Sequence, residues 1–369
     1  MTASSNATRI RSVEAHLYRP PLAEVLSDAK HGDHTHFELV VCTITTEDGA
    51  TGSGYSYTGG KGGHAILAML RHDLAPMLIG RDAEAIDAIF DEMQLHIHYV
   101  GRGGIASFAI SAIDIALWDL RGKRRAEPLW KMAGGASRRA RIYRGGIDLN
   151  FPIERLAADN RAHLAAGYNA VKIKVGKPDL AEDVARVAAV REAIGPDAVF
   201  MVDANYGLDV DQAIAAARAF APYDLTWFEE PIDPDDFEGY ARIAEATGMP
   251  LAMGENLHTM AEFDRALNTA KLSFVQPDAG NCGGITGFLR VAAMARRHGI
   301  PVCTHGMQEL SVSLVAAQPN AGWVESHSFD IETFADRAVE LQDGMALAPD
   351  SPGTGVTFIE DRLMPHRAD

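Results

Sequence analysis

Three short apolar runs, each closing on an acid, limit what this chain can be more than any other feature. Residues 199–205 read V-F-M-V-D-A-N, 226–231 read T-W-F-E-E-P and 251–256 read L-A-M-G-E-N. Continuous apolar runs of about 4–8 residues bounded by turn signals suit strands buried on both faces. Each run delivers its acid at the C-terminal end. Asp203, Glu229 and Glu255 are therefore candidate ligands of one hard cation, because Mg²⁺ takes oxygen ligands and leaves its other positions to water or substrate. Just upstream, A-V-K-I-K-V-G at 170–176 carries Lys172 and Lys174 on one face of a strand, where side chains repeat every two residues.

These runs belong to a longer series. Candidate strands at 141–146, 170–176, 199–205, 226–231, 251–256, 273–278, 300–305 and 322–327 recur at intervals of roughly 22–29 residues, with helical periodicity between them, which suits a (β/α)₈ barrel. In such barrels the reactive groups sit at the C-terminal strand ends. That rule selects Lys172 and Lys174, Asp203 and Asn205, Glu229, Glu255, Asp278, His305 and Glu325. Adjacent residues on a strand point opposite ways, so of Glu229 and Glu230 only the first is assigned to the axis, with Glu230 behind it. Two ammonium groups near a divalent cation are expected to lower each other's pKa, which turns a lysine into a base. Asp278 on the strand beside His305 fixes the imidazole tautomer and raises the basicity of its other nitrogen. Glu325 is expected to donate or share a proton with a developing oxyanion. Together these groups suit removal of a proton next to a carboxylate, with the enolate stabilised by a metal on the carboxylate oxygens.

The N-terminal part reads differently. Strands are expected at 10–18, 37–45 and 51–57, with Asp48-Gly49 as a hairpin signal. The polar stretch 27–36 is expected to be a surface loop. Helices follow around Ile66–Leu74 positions, Ile86–Met93 positions and 105–120. Residues 1–135 thus read as an α+β unit, 136–335 as the barrel, and 336–369 as a segment packing back on the first unit. Helix starts are marked by Asp179 with Glu182, Asp209 with Gln212 and Thr259 with Glu262.

A net charge of −16 leaves no basic face for nucleic acid. No apolar run reaches the ~18 residues of a membrane span, and the Ser/Thr/Asn-rich start, residues 1–11, has no signal-peptide core. The 3 cysteines include no C-x-x-C pair, which suggests a reducing cytoplasm. Cys303, close to His305, is an alternative nucleophile, although a small apolar residue beside a site is the simpler reading.

With these residues in place, the chain resembles the enolase superfamily, and within it the mandelate racemase subgroup. The resemblance rests on K-I-K at 172–174, V-D-A-N at 202–205, E-E-P at 229–231, G-E-N at 254–256, Q-P-D at 276–278, T-H-G at 304–306 and V-E-S at 324–326. It implies a (β/α)₇β TIM-type barrel with an α+β N-terminal capping domain. It implies Mg²⁺ on Asp203, Glu229 and Glu255, Lys174 as one base, the Asp278–His305 dyad as the other, Glu325 as enolate stabiliser, and a homo-oligomer. S-D-A-K and V-G-R-G-G look similar to galactarate/talarate-type acid-sugar dehydratases. H-G-D-H-x-H, N-C-G-G-I-T-G and H-G-M-Q-E-L look closer to 3,6-anhydro-galactonate cycloisomerases. The polar lids favour a polyhydroxylated acid over mandelate, with Asn205, His31, His34, His36, Tyr57, Lys61, His98 and Arg102 as candidate substrate contacts. The expected activity is α-proton abstraction with β-elimination, by a dehydratase or a sugar-acid cycloisomerase. A racemase of a 2-hydroxy acid, a second metal on His31, His34 and His36, and a non-enzymatic binding module are the alternatives.

Overall fold

A computed structural model describes residues 6–369, so the first residues of the expected N-terminal tail lie outside it. Strands β1 (Ile10–Tyr18), β4 (Glu38–Thr46) and β5 (Thr51–Thr58) form an antiparallel sheet in the order β1-β4-β5. Asp48-Gly49 makes the expected turn, with Thr46 N donating to Ala50 O at 3.0 Å. Helices follow at Gly63–Ala68, Ile86–His96 and Ile105–Arg125. The first runs through a π-helical turn, Met69–Leu74, into Ala75–Leu78. Ile10, Leu17, Ile44, Leu70, Phe90 and Ile113 close one core between this sheet and its helices.

The stretch expected as a surface loop is instead a hairpin, β2 (Pro21–Asp28) paired with β3 (Gly32–His36). Its polar residues hid the apolar alternation by which strands are recognised. Ser27, Asp28 and His34 are nonetheless buried, because Asp28 and His34 bond each other and Ser27 bonds Asp33.

The second half alternates strand and helix. Parallel strands β6 (Arg139–Gly145), β7 (Ala170–Lys174), β8 (Val199–Asp203), β9 (Phe228–Glu229), β10 (Leu251–Met253) and β11 (Phe274–Val275) pair in chain order, and β12 (Trp323–Ser326) pairs back onto β6. The seventh strand, expected over 300–305, shrinks to Val302, which bridges Val275 on one side and Ala321 on the other. Pro301 has no N–H to offer the ladder, although its carbonyl accepts from Val275 N at 3.2 Å. Backbone bonds from residues 301–304, among them Cys303 N to Val275 O at 2.8 Å and Thr304 N to Trp323 O at 3.0 Å, still close the barrel.

Helix starts follow the sequence signals. Asp209 with Gln212 and Thr259 with Glu262 form full capping boxes, whereas Asp179 caps Ala181 N without the reciprocal contact. After β12 the chain forms β13 (Glu340–Gln342) and β14 (Met345–Leu347), and β14 joins β6 in antiparallel fashion. It then crosses the N-terminal unit, where Ala368 N donates to Leu17 O at 2.8 Å and Arg19 N to His366 O at 2.8 Å. Among the described residues no helix is long and apolar enough to cross a membrane.

Candidate active site

Strand register assembles the polar cluster. Lys174 lies beside Asp203 on β7 and β8, and Asp203 beside Glu229 on β8 and β9. Glu255 follows just after β10. Ligand atoms of Asp203, Glu229 and Glu255 all fall within 4.8 Å of one another. Lys174 Nζ donates to Asp203 Oδ2 at 2.6 Å. Lys172 Nζ contacts Glu229 Oε1, Asp203 Oδ2 at 3.3 Å and Glu325 Oε1 at 2.9 Å. On the far side, His305 Nδ1 meets Asp278 Oδ2 at 2.8 Å and His305 Nε2 stands 3.5 Å from Glu255. All five expected catalytic residues and all three expected ligands are thus drawn to one point.

The donor set suits Mg²⁺. It consists of carboxylate oxygens only, with no thiolate or imidazole in the trio, the preference of a hard cation. Asn205 Oδ1, beside the trio, is buried and has no hydrogen-bond partner among the described residues. Buried polar atoms are seldom left unpaired, so this oxygen marks a place for a cation, a water of its shell or a substrate hydroxyl. The buried acids Asp203, Glu229 and Glu325 meanwhile draw the two lysines as counter-charge.

Among the protein's own charges, that pairing offsets the mutual lowering expected of two lysines beside a metal. Burial opposes both ammonium groups, but the surrounding acids outweigh it. Glu229, Glu325 and Asp203 hold Lys172 well above its usual pKa, and Asp203 raises Lys174 despite the opposing charge of Lys172. Counting lysines alone left out the acids, which outnumber them. Burial likewise opposes the charged form of His305, yet Glu255, Asp278 and Glu325 push its pKa up to about 10. Burial raises the Glu325 carboxyl, but Lys172 and His305 hold it well below its usual range. Glu325 accepts from Lys172 and from Gly306 N at 3.0 Å.

The cluster opens into a cavity of ≈ 390 Å³ bounded by the N-terminal unit. His31, His34, Tyr57, Lys61 and Asn205 line it, as expected. His36, His98 and Arg102 do not. His36, the last residue of β3, turns back to Arg19 Nη2 at 2.7 Å and Gly60 O at 3.2 Å, although a period of two would place it on the same face as His34. The His98 ring folds onto Leu95 O at 2.8 Å, past the end of a helix, and Arg102 is exposed beyond it. The second-metal alternative loses His36, whose ring faces Arg19 and Gly60 instead. Asp28 stands in its place, 2.8 Å from His34 Nε2 and 3.0 Å from His31 Nδ1. Cys303 is ruled out as a nucleophile by its position: it is fully buried with Tyr143 and Trp227 beneath the site, and burial pushes its thiol up to about 12.

Several functional residues were not singled out from sequence. Trp227 Nε1 and Gln276 Nε2 each donate to Glu229 Oε2 at 2.8 Å and aim that carboxylate. Trp227 precedes Glu229 by two positions on one strand, so the period-2 rule signals it. His327 lines the cavity 5.0 Å from the His305 ring, and burial holds its pKa well below the usual value. Glu230, already assigned from sequence to a place behind Glu229, is fully buried there and accepts from Asn256 Nδ2 at 2.6 Å. Asp148 Oδ1 accepts from Lys174 N at 3.0 Å and Arg186 Nη2 at 3.2 Å. Nothing in the local sequence marks Asp148, because its partners lie far along the chain.

A closed parallel barrel with three convergent acids, a lysine pair on one side and an Asp–His pair on the other defines an acid/base enzyme that works beside a divalent cation. Family profiles agree. Residues 20–134 match the mandelate racemase / muconate lactonizing enzyme N-terminal domain, and residues 155–362 match the enolase C-terminal domain-like family. The chain belongs to the enolase superfamily, as a member of the mandelate racemase / muconate lactonizing enzyme group. It is 46% identical over 354 residues to a 3,6-anhydro-alpha-L-galactonate cycloisomerase of Streptomyces coelicolor, covering 96% of this chain and 98% of that one. It is 36% identical over 366 residues to an L-talarate/galactarate dehydratase of Salmonella typhimurium, covering 97% and 91%. A crystal structure of a racemase from Streptomyces coelicolor with bound magnesium superposes with a TM-score of 0.95 at 45% identity, covering 97% of this chain and 100% of that one.

Proposed function

We propose that this protein is a Mg²⁺-dependent enzyme that removes the α-proton of a sugar-derived carboxylate and expels the β-oxygen, with ring opening of a 3,6-anhydro sugar acid as its reaction. The observation that carries the reading is the placement of one proton-transfer group at each end of the ligand trio: Lys174 on Asp203 at 2.6 Å and His305 on Glu255 at 3.5 Å. Asp203, Glu229 and Glu255 would hold Mg²⁺, which when bound supplies Lewis acidity to the substrate carboxylate and draws anionic charge away from Lys174. The group facing the α-carbon, Lys174 Nζ or His305 Nε2, takes the proton. Which of them does so follows the α-configuration. The C–H electron pair becomes the new C=C bond, the β C–O bond breaks, and the opposite group protonates the departing oxygen. The resulting enol becomes a 2-keto-3-deoxy acid. Glu325, anchored by Lys172 and Gly306 N, sets the potential beneath the substrate carboxylate. His31, His34, Lys61 and Asn205 face the hydroxyls.

When the departing oxygen is a ring ether it stays tethered, and the product is an isomer. When it is a free hydroxyl, water is lost. The 46% identity to the cycloisomerase favours the first outcome, and the 36% identity to the dehydratase is the ground for the second. Incubation with a panel of aldarates, aldonates and 3,6-anhydro-aldonates, read by product NMR and mass, separates them. An unchanged mass means cycloisomerisation. Loss of one water means dehydration. Return of the substrate epimer alone would defeat both.

The three free cysteines are all buried, which supports a reducing cytoplasm. Exposed Leu95, Tyr99, Val100 and Ile105 support association with further copies, which light scattering would measure.

A further inference from the structure

We propose that Tyr57 is a positioning residue for the Asp278–His305 pair: its hydroxyl shares one Asp278 oxygen with His305 Nδ1 and thereby aims Nε2 at the substrate. This inference rests on the acid/base role given above to His305.

Tyr57 was expected to touch substrate, yet its hydroxyl is already engaged. Tyr57 Oη donates to Asp278 Oδ2 at 2.7 Å and lies 3.0 Å from His305 Nδ1. The second carboxylate oxygen, Oδ1, accepts from Gly280 N at 2.6 Å. An ionised carboxylate only accepts, so the group is held at both ends, with two donors on Oδ2. Of the two, the imidazole gives Nδ1–H, and its free nitrogen is Nε2. That nitrogen lies 3.5 Å from Glu255 and 3.9 Å from Glu325, on the side of the ligand trio. The phenol and imidazole planes are 15° apart, so the two donors reach the oxygen side by side.

Two features show a built arrangement. Gly306 follows His305 with φ 54°, and a Cβ added there would lie 2.1 Å from Tyr57 Oη. Only glycine at that position leaves room for the hydroxyl. Ser56 Oγ donates to Gly280 O at 2.8 Å, tying β5 to the loop that carries Asp278. Burial and the Asp278 charge raise the Tyr57 pKa well above its usual value, so the phenol remains a donor. The N-terminal unit thus reaches one proton-transfer group of the barrel directly, through a side-chain hydroxyl.

The test compares Tyr57→Phe with wild type, both full-length and Mg²⁺-loaded. The expected result is an unchanged Tm, a KM within about twofold and a kcat lowered about ten- to a hundredfold, the range for losing a hydrogen bond to a charged group. Deuterium exchange of the α-proton is expected to slow on the His305 face and not on the Lys174 face. The downfield Nδ1–H proton of His305, assigned by its loss in His305→Asn, is expected to move further downfield as Asp278 Oδ2 loses its second donor. A raised KM with unchanged kcat would make Tyr57 a substrate contact and overturn the proposal. Equal slowing of both faces, or a stationary Nδ1–H resonance, would also overturn it. If wild type turns over no sugar acid, the functional reading fails while the resonance still decides the role of Tyr57.

Discussion

Lys172 Nζ and Glu325 Oε1 meet at 2.9 Å across an intervening strand, because the residue between them on β6 is Gly145. A Cβ at Gly145 would lie 2.3 Å from that same carboxylate oxygen. The pair is almost wholly withdrawn from solvent, at 0% and 2% exposure, so neither charge has water to fall back on.

Gly145→Ala is therefore expected to part Glu325 from Lys172 without unfolding the barrel. Overpacking of this kind costs about 1–3 kcal/mol, and displacing Lys172, a cationic donor preorganised by Glu325, is expected to cost about 10²-fold in kcat. Urea denaturation and steady-state kinetics check the two halves separately. A variant with normal kcat would show that Glu325 is dispensable.

Lys174→Ala removes a proton-transfer group but leaves His305 in place. Exchange of the α-proton with solvent deuterium is expected to vanish on one stereochemical face and persist on the other. Turnover is expected to fall about 10²–10⁴-fold, the usual worth of a positioned acid or base. Stereospecific exchange followed by NMR provides the measurement, and survival of full activity would refute the assignment.

Mg²⁺ is expected to raise Tm, and chelation to abolish turnover reversibly. At a hundred times its Kd a ligand that binds only the folded state stabilises by about 2.7 kcal/mol. Glu255→Gln, which neutralises the most accessible acid of the trio, is expected to lose most of that rise. Thermal denaturation with and without Mg²⁺ reads this directly. A Tm in Glu255→Gln that responds to Mg²⁺ as in wild type would move the metal elsewhere.

Asp114 supplies a pH dependence remote from the metal. It is fully buried on the helix Ile105–Arg125 and accepts from Thr286 N at 2.8 Å and Thr286 Oγ1 at 2.6 Å. Burial, only partly offset by those bonds, pushes its pKa from 3.8 up to about 7. A raised folded-state pKa means that folding takes up a proton between those values. Its contribution to stability is thus fully present below about pH 4 and is lost as pH rises through about 7, with a slope of at most about 1.4 kcal/mol per pH unit. Asp114→Asn is expected to flatten that part of the curve, so the difference from wild type in urea midpoints grows from pH 4 to pH 7. A constant difference would show that the carboxyl does not titrate there.

Much of the site was legible because a parallel barrel strand writes its chemistry locally. An apolar run ending in Asp203 or Glu229 carries its own signal, and the rule of C-terminal strand ends sufficed to gather residues from seven separate segments. What stayed hidden depends on partners distant in the chain. Asp148 and Tyr57 carry no local motif, and each gains its role only when two separate segments meet. The hairpin of β2 and β3 was hidden because its strands pair through polar residues that bury one another. His36 was misplaced because its partners, Arg19 and Gly60, lie on other segments, which spacing within 27–36 does not show. The lysine pKa values depended on a balance of charges that spacing alone does not display.

The β2–β3 hairpin also touches the barrel chemistry mechanically. Ser27 bridges to Asp148, Leu149 N donates to Ser27 O at 3.0 Å, and Asp148 in turn holds the backbone of Lys174. The lid and the lysine therefore share one anchor. A chimera that imports residues 21–36 from a relative without its matching 148–150 turn would misalign the lysine as well as the pocket wall, so substrate preference and turnover in this lineage should be inherited as a linked pair of segments.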